Sequence, residues 1–188
     1  QAQWNDDAHH AFHIALTGEE DGYYQDYSSK ETKQESSEFI GKALAEGFIY
    51  QGQPSFFHNN TPRGESTKDL SPLAFINFLQ NHDQIGTRAF GERLTTLCDE
   101  QQLKIAIAAL LLAPSPPMIF MGEEWGALEP FPFFCDFGDD LAPHVFEGRK
   151  KEFAAFEGFS NPEHLNKIPD PGCKTTFDSA KLDWPASE

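Results

Sequence analysis

Residues 75–88 read Phe-Ile-Asn-Phe-Leu-Gln-Asn-His-Asp-Gln-Ile-Gly-Thr-Arg, and this stretch decides the fold. Phe75 to Leu79 is nearly all apolar and too short for a helix, so it predicts a strand buried on both faces. It ends abruptly in Gln80-Asn81-His82-Asp83-Gln84, and Gly86 breaks the chain before a helical pattern begins. A buried parallel strand whose carboxyl end opens into polar residues is where α/β barrels and open α/β sheets place their chemistry. A histidine beside a carboxylate, flanked by amides, is costly to order unless something binds there.

The same arrangement recurs outward from this stretch. Met118 to Met121 predicts a second short buried strand, opening into Gly122-Glu123-Glu124-Trp125-Gly126. An earlier strand is expected to end in Trp4-Asn5-Asp6-Asp7. Helices are predicted between them. One follows Asp6 or Asp7 as N-cap and ends at Thr17-Gly18; another spans Glu31 to Gly47; a short one lies in Arg88 to Cys98. Glu100 to Ala113 is strongly helical, and its apolar second half is expected to be buried all round. Pro143 to Phe156 and Thr175 to Leu182 predict further helices. Phe48 to Ser71 is too long for an idle connector and is expected to be functional or mobile. Alternating helices and short buried strands predict an α/β fold with a parallel sheet and helices outside it.

Composition narrows the partners. The 188 residues include 30 acids against 14 bases, for a formal charge of −16. A field of that sign repels phosphate backbones and anionic lipids, so no nucleic acid or membrane partner is expected. It suits a neutral substrate such as a sugar. The cysteines Cys98, Cys135 and Cys173 are odd in number and widely spaced, which predicts reduced thiols and a cytoplasmic setting. No apolar stretch is as long as a membrane span. Gln1 to Trp4 has neither a basic nor an apolar signal region, and the chain is expected to begin inside a longer protein.

The three strand ends supply Asp6, Asp7, Asp83, Glu123 and Glu124, with Trp4, Phe56, Phe57, Trp125, Phe131, Phe133 and Phe134 nearby in sequence. Carboxylates stabilise an oxocarbenium-like transition state, and aromatic faces stack on sugar rings, so this mixture points to carbohydrate chemistry. The phenylalanines at 131, 133 and 134 are expected to serve packing before sugar binding. At least one of Glu123 and Glu124 is expected to face the substrate, the other to hold a structural partner, Arg88 being the candidate. His9 and His13 share a helix face as a metal pair would. No H-E-x-x-H is present and no cysteine is near, so neither a metal nor another cofactor is expected.

Four motifs then stand together: Gln3 to His13 (Q-W-N-D-D-A-H-H-A-F-H), Phe78 to Ala89 (F-L-Q-N-H-D-Q-I-G-T-R-A), Met118 to Gly126 (M-I-F-M-G-E-E-W-G) and Phe177 to Trp184 (F-D-S-A-K-L-D-W). In that order they resemble the α-amylase clan of glycoside hydrolases, and within it the malto-oligosyltrehalose trehalohydrolase family. The resemblance implies a (β/α)8 TIM barrel and hydrolysis of the α-1,4 bond next to a terminal trehalose, releasing trehalose. It matches Asp83 to the family's third catalytic carboxylate, which stabilises the transition state, and His82 to the histidine that binds the same sugar. The other substrate contacts expected from the strand ends are Asn81, Gln84 and Arg88 at the second, Trp4, Asp7 and His10 at the first, and Glu124 at the third.

Two departures bear on the reading. The family's nucleophile and its acid/base residue lie on strands that precede Trp4, and a retaining glycosidase needs both, about 5 Å apart. Residues 1–188 are therefore expected to be the C-terminal part of a catalytic barrel, its last three strands, inactive alone and prone to self-association at its open edges. Thr87 stands where the family commonly has asparagine. Another enzyme of the clan, a branching enzyme or an α-amylase, and a non-catalytic glucan-binding domain are the alternatives.

Overall fold

The computed structural model describes residues 1–153 and 165–184. In chain order the elements are β1 (Gln3–Trp4), α1 (Asp6–Thr17), α2 (Ser29–Thr32), α3 (Ser36–Glu46), β2 (Gln53–Ser55), β3 (Thr61–Arg63), β4 (Phe75–Ile76), α4 (His82–Thr87), α5 (Leu94–Leu97), α6 (Glu100–Leu112), α7 (Gly138–Phe153) and α8 (Lys174–Ser179). They fall into two compact units, residues 1–80 with 97–120, and residues 81–96 with 121–188.

In the first unit β1 pairs with β4 in parallel, Gln3 opposite Phe75 and Trp4 opposite Ile76. Asn77 then forms a parallel bridge to Pro117. The predicted order of three parallel stretches is therefore present, and the fold is mixed helix and strand. The strands are shorter than expected. Phe75 to Leu79 pairs only as far as Asn77. Phe78 and Leu79 are buried, but the Leu79 carbonyl accepts from a side chain, His9 Nδ1 at 2.5 Å, and not from a neighbouring strand. Met118 to Met121 forms no strand: its ladder contact is the Met118 N–H to Asn77 O bond at 2.8 Å.

Helix boundaries moved for local reasons. Asn5, not Asp6 or Asp7, caps α1, accepting from Ala8 N at 3.3 Å. The single helix expected over Glu31 to Gly47 is split. Lys33 takes a left-handed φ of 59° and ends α2, and α3 restarts at a capping box between Glu35 and Glu38. Gly47 ends α3 at φ 88°, and a Cβ there would run into the Phe75 ring, so helix and strand meet only across a glycine. The core gathers Ala8, Ala11, Ile14, Tyr27, Phe39 and Ile49 between α1, α3 and the loop after them.

The second half of α6 is not buried all round. Leu103, Ala106 and Leu110 face inward, while Ile105 is 70% and Leu112 85% exposed. The apolar run supplies more hydrophobic surface than this unit covers.

In the second unit α4 is followed by loops around Arg93, and α7 and α8 close the chain. Helix α7 begins at Gly138, before the predicted Pro143, and Phe156 of that prediction lies outside the described residues. Helix α8 ends at Ser179, short of Leu182. No helix of the described residues is long and apolar enough to cross a membrane. Cys98, Cys135 and Cys173 are free thiols.

Candidate functional site

In the second unit the polar burst becomes the start of a helix. Asn81 is its N-cap: its Oδ1 accepts from Asp83 N at 2.7 Å, and Gln84 Oε1 accepts from Asn81 N at 3.0 Å. Two of the predicted substrate contacts, Asn81 and Gln84, thus form a reciprocal capping box. Asn81 is buried, and its Nδ2 has no hydrogen-bond partner among the described residues. The box holds the first turn so that His82 and Asp83 project outward. Their side chains are 53% and 64% exposed, with His82 Nε2 3.2 Å from Asp83 Oδ1. Asp83 combines exposure with a fixed backbone, as a group acting on a ligand needs. Arg88 pairs with Glu92 at 3.5 Å.

That loop is organised by a residue the sequence did not single out. Arg93, 1% exposed, donates from Nε to Glu129 O at 2.5 Å and from Nη1 to Met121 O at 2.9 Å. It ties both ends of residues 121–129 together. Burial lowers its pKa, opposed by Glu123, Glu129 and Glu124. Glu124 Oε2 accepts from Gly122 N at 2.8 Å, so part of this predicted sugar contact caps its own loop. Trp125 packs on Trp184 with ring centres 5.2 Å apart. Phe131 and Phe134 pack on each other and Phe134 on Phe177, in keeping with a packing role.

In the first unit Trp4 lies edge-on to Phe78 and stays partly exposed. Asp7 does not. It is 4% exposed, and its two oxygens accept from Ile49 N (2.7 Å), Tyr50 N (3.1 Å), Arg63 Nη2 (2.9 Å) and the Tyr27 hydroxyl. The expectation that Asp7 contacts substrate is corrected: its acceptor capacity is used up in holding the loop after α3. Burial and the Asp7 charge push the Tyr27 pKa well up, so the phenol stays protonated and donates. Arg63 also reaches Asp26, which accepts from Ser55 Oγ (2.5 Å) and Phe57 N (2.9 Å). Arg63, Tyr27 and Asp26 were missed in the sequence. The only signal was a lone arginine in a long acidic-chain loop.

The α1 histidines are buried next to this network. His9 Nδ1 faces Leu79 O, an acceptor only, so Nδ1 carries the proton and Nε2 accepts from Tyr24 OH at 3.0 Å. Burial, then the His13 charge, pushes the His9 pKa down to about 3. His10 lies among Tyr23, Tyr24 and Tyr27, with a buried Nδ1 that has no partner among the described residues. Burial, His9 and Arg63 push its pKa down to about 2. His13 Nε2 sits 2.8 Å from Glu19. Among the described residues no three His, Cys, Asp or Glu side chains converge as a metal site requires.

No protein-family model matches the chain. Curated proteins do. A malto-oligosyltrehalose trehalohydrolase of Saccharolobus solfataricus is 43% identical over 184 residues, covering 97% of this chain and 29% of that protein. Those of Deinococcus radiodurans and Mycobacterium tuberculosis are each 39% identical, over 98% and 97% of this chain and 29% and 30% of theirs. A Salmonella typhimurium crystal structure, provisionally assigned as an α-amylase, superposes with a TM-score of 0.86 at 44% identity, over 99% of this chain and 30% of that one. The chain spans about 30% of the length of the relatives it matches. Over that span, the chain is related to the malto-oligosyltrehalose trehalohydrolases, glycosidases of the α-amylase kind.

Proposed function

We propose that the chain serves a glycoside hydrolase that cleaves the α-1,4 bond next to the terminal trehalose of malto-oligosyltrehalose, releasing trehalose. Its parallel stretches at Gln3–Trp4, Phe75–Asn77 and Pro117 are read as the last three strands of a (β/α)8 barrel. The carrying observation is the match along 97% of the chain to trehalohydrolases, combined with Asp83 held exposed on a fixed first turn.

Asp83 is the transition-state stabiliser. Its carboxylate meets positive charge that develops at the sugar ring only as the glycosidic bond breaks, so its contribution is larger in the transition state than in the ground state. His82, 3.2 Å away, orients that carboxylate and donates to the same sugar. Asn81 and Gln84 set the turn, and Trp4, Arg88, His10 and Glu124 are the remaining substrate contacts. The attack on the anomeric carbon and the protonation of the leaving oxygen need two further carboxyl groups. The resemblance assigns both to strands other than the three read here, so residues 1–188 alone are expected not to turn over. The surroundings are cytoplasmic, a reading supported by three free thiols.

The test is Asp83→Asn in a trehalohydrolase that contains this chain. We expect kcat to fall by roughly 10²–10³, as for other electrostatic stabilisers, with substrate affinity nearly unchanged. Wild-type kcat in that variant overturns the assignment.

A further inference from the structure

Helix α3 and the β2–β3 hairpin border a cleft of about 260 Å³ in the first unit. Phe56 stands at its rim, 47% exposed at the hairpin tip, while its neighbour Phe57 turns towards Tyr23. Single exposed apolar residues are ordinary. The same cleft, however, is also lined by Gln34, Gln53 and Asn60, with the Gln53 Oε1 already accepting from Gln51 N at 2.5 Å. An amide both donates and accepts, as a sugar hydroxyl does, and an aromatic face suits the apolar face of a pyranose.

The cleft is also held in shape before any ligand arrives. Tyr50, in its floor, donates its hydroxyl to Asp26 O at 2.6 Å and its N–H to buried Asp7 at 3.1 Å. Asn59 and Asn60 take left-handed φ values of 55° and 60°, the hairpin-turn conformation that Asn tolerates. A site fixed in this way loses less entropy on binding. Among the lining residues Glu31 and Lys42 offset each other's charge, and a chain of net charge −16 disfavours anions. The volume lies just below the roughly 300–1,000 Å³ of a typical ligand pocket, which fits one or two rings of a longer chain.

We infer that this cleft is a carbohydrate-binding site taking one or two glucose rings of a neutral α-glucan. The choice of α-glucan among neutral carbohydrates rests on the proposed function.

The test is titration of the ¹⁵N-labelled chain with maltoheptaose, followed by NMR. We expect the side-chain amides of Gln34, Gln53 and Asn60 to shift with a midpoint on the order of 1 mM, the weak end of binding. Phe56→Ala should raise that midpoint about tenfold or more, the scale of one aromatic contact. Gln34→Ala, also on the surface, should raise it less, and Asp83→Asn should leave it in place. Cleft amides that stay unmoved, or that move equally in Phe56→Ala, overturn the inference. Shifts confined to residues 82–88 overturn it while leaving the proposed function standing. Shifts at the cleft with none at 82–88 support the site and count against the assignment of Asp83.

Discussion

Asp7 and Arg63 lie 2.9 Å apart and join helix α1 to the end of β3 through a carboxylate buried beneath Tyr27. Asp7 follows the Trp4-Asn5 strand end and looks, by position, like a residue offered to a substrate. Its partners turn it inward.

Removing one side of this pair leaves a buried charge uncompensated. Arg63→Met should destabilise the chain by about 2–4 kcal/mol, towards the lower end for broken buried pairs because Arg63 is itself one-third exposed. Asp7→Asn with Arg63→Met should cost less than the two separate losses added. Urea midpoints decide it; strictly additive losses would show that the pair is not coupled.

His9 and His10 make stability depend on pH. Above an ordinary histidine pKa of 6.5 neither folded nor unfolded chain protonates them. Below it the unfolded chain takes up protons that the buried rings, at about 3 and about 2, refuse. Stability should therefore fall as pH drops from about 6.5 towards 3, by about 1.4 kcal/mol per unit for each histidine. Urea midpoints at pH 7.5 and 5.5 measure this, and His9→Gln with His10→Gln should flatten the slope. A wild-type slope equal to that of the double variant would sink the idea.

Gly122 and Gly126 flank Glu123-Glu124-Trp125 at φ values of 91° and 73°. A Cβ on Gly122 would lie 2.7 Å from Ala127 Cβ and 2.9 Å from Leu182 Cδ2, whereas one on Gly126 meets only Thr95 Cγ2 at 4.0 Å. Gly122→Ala should cost about 2–4 kcal/mol, combining a left-handed alanine with overpacking, and Gly126→Ala about 1–2. Near-ultraviolet circular dichroism of the Trp125–Trp184 pair should change in the first variant and persist in the second. Equal losses would show that the crowding does not matter.

The outward face of α6 predicts association. Ile105 and Leu112 are among its most exposed residues, and the acidic surface limits open-ended aggregation without forbidding a closed dimer. Sedimentation at micromolar concentration should show self-association that Ile105→Glu with Leu112→Lys abolishes. A wild-type monomer under those conditions refutes it.

Local pattern carried much of this molecule. The apolar run ending in Gln80-Asn81-His82-Asp83-Gln84, the helix end at Gly18, and the alternation of helix and short strand are all near-neighbour properties, readable from side-chain type and spacing. So were Asp83 and His82 as polar groups at the carboxyl end of a buried run, although the helix expected only after Gly86 in fact starts at His82. What lay beyond reach depended on partners far along the chain. The sequence of Asp6-Asp7 does not say that Tyr27, Ile49, Tyr50 and Arg63 will converge on Asp7, nor that Arg93 will tie Met121 to Glu129. The apolar second half of α6 does not say which side will find a partner. A carboxylate in water and one satisfied by four donors are the same residue in sequence. Only tertiary structure decides between them, because desolvation and hydrogen bonding are set by what folds against the group.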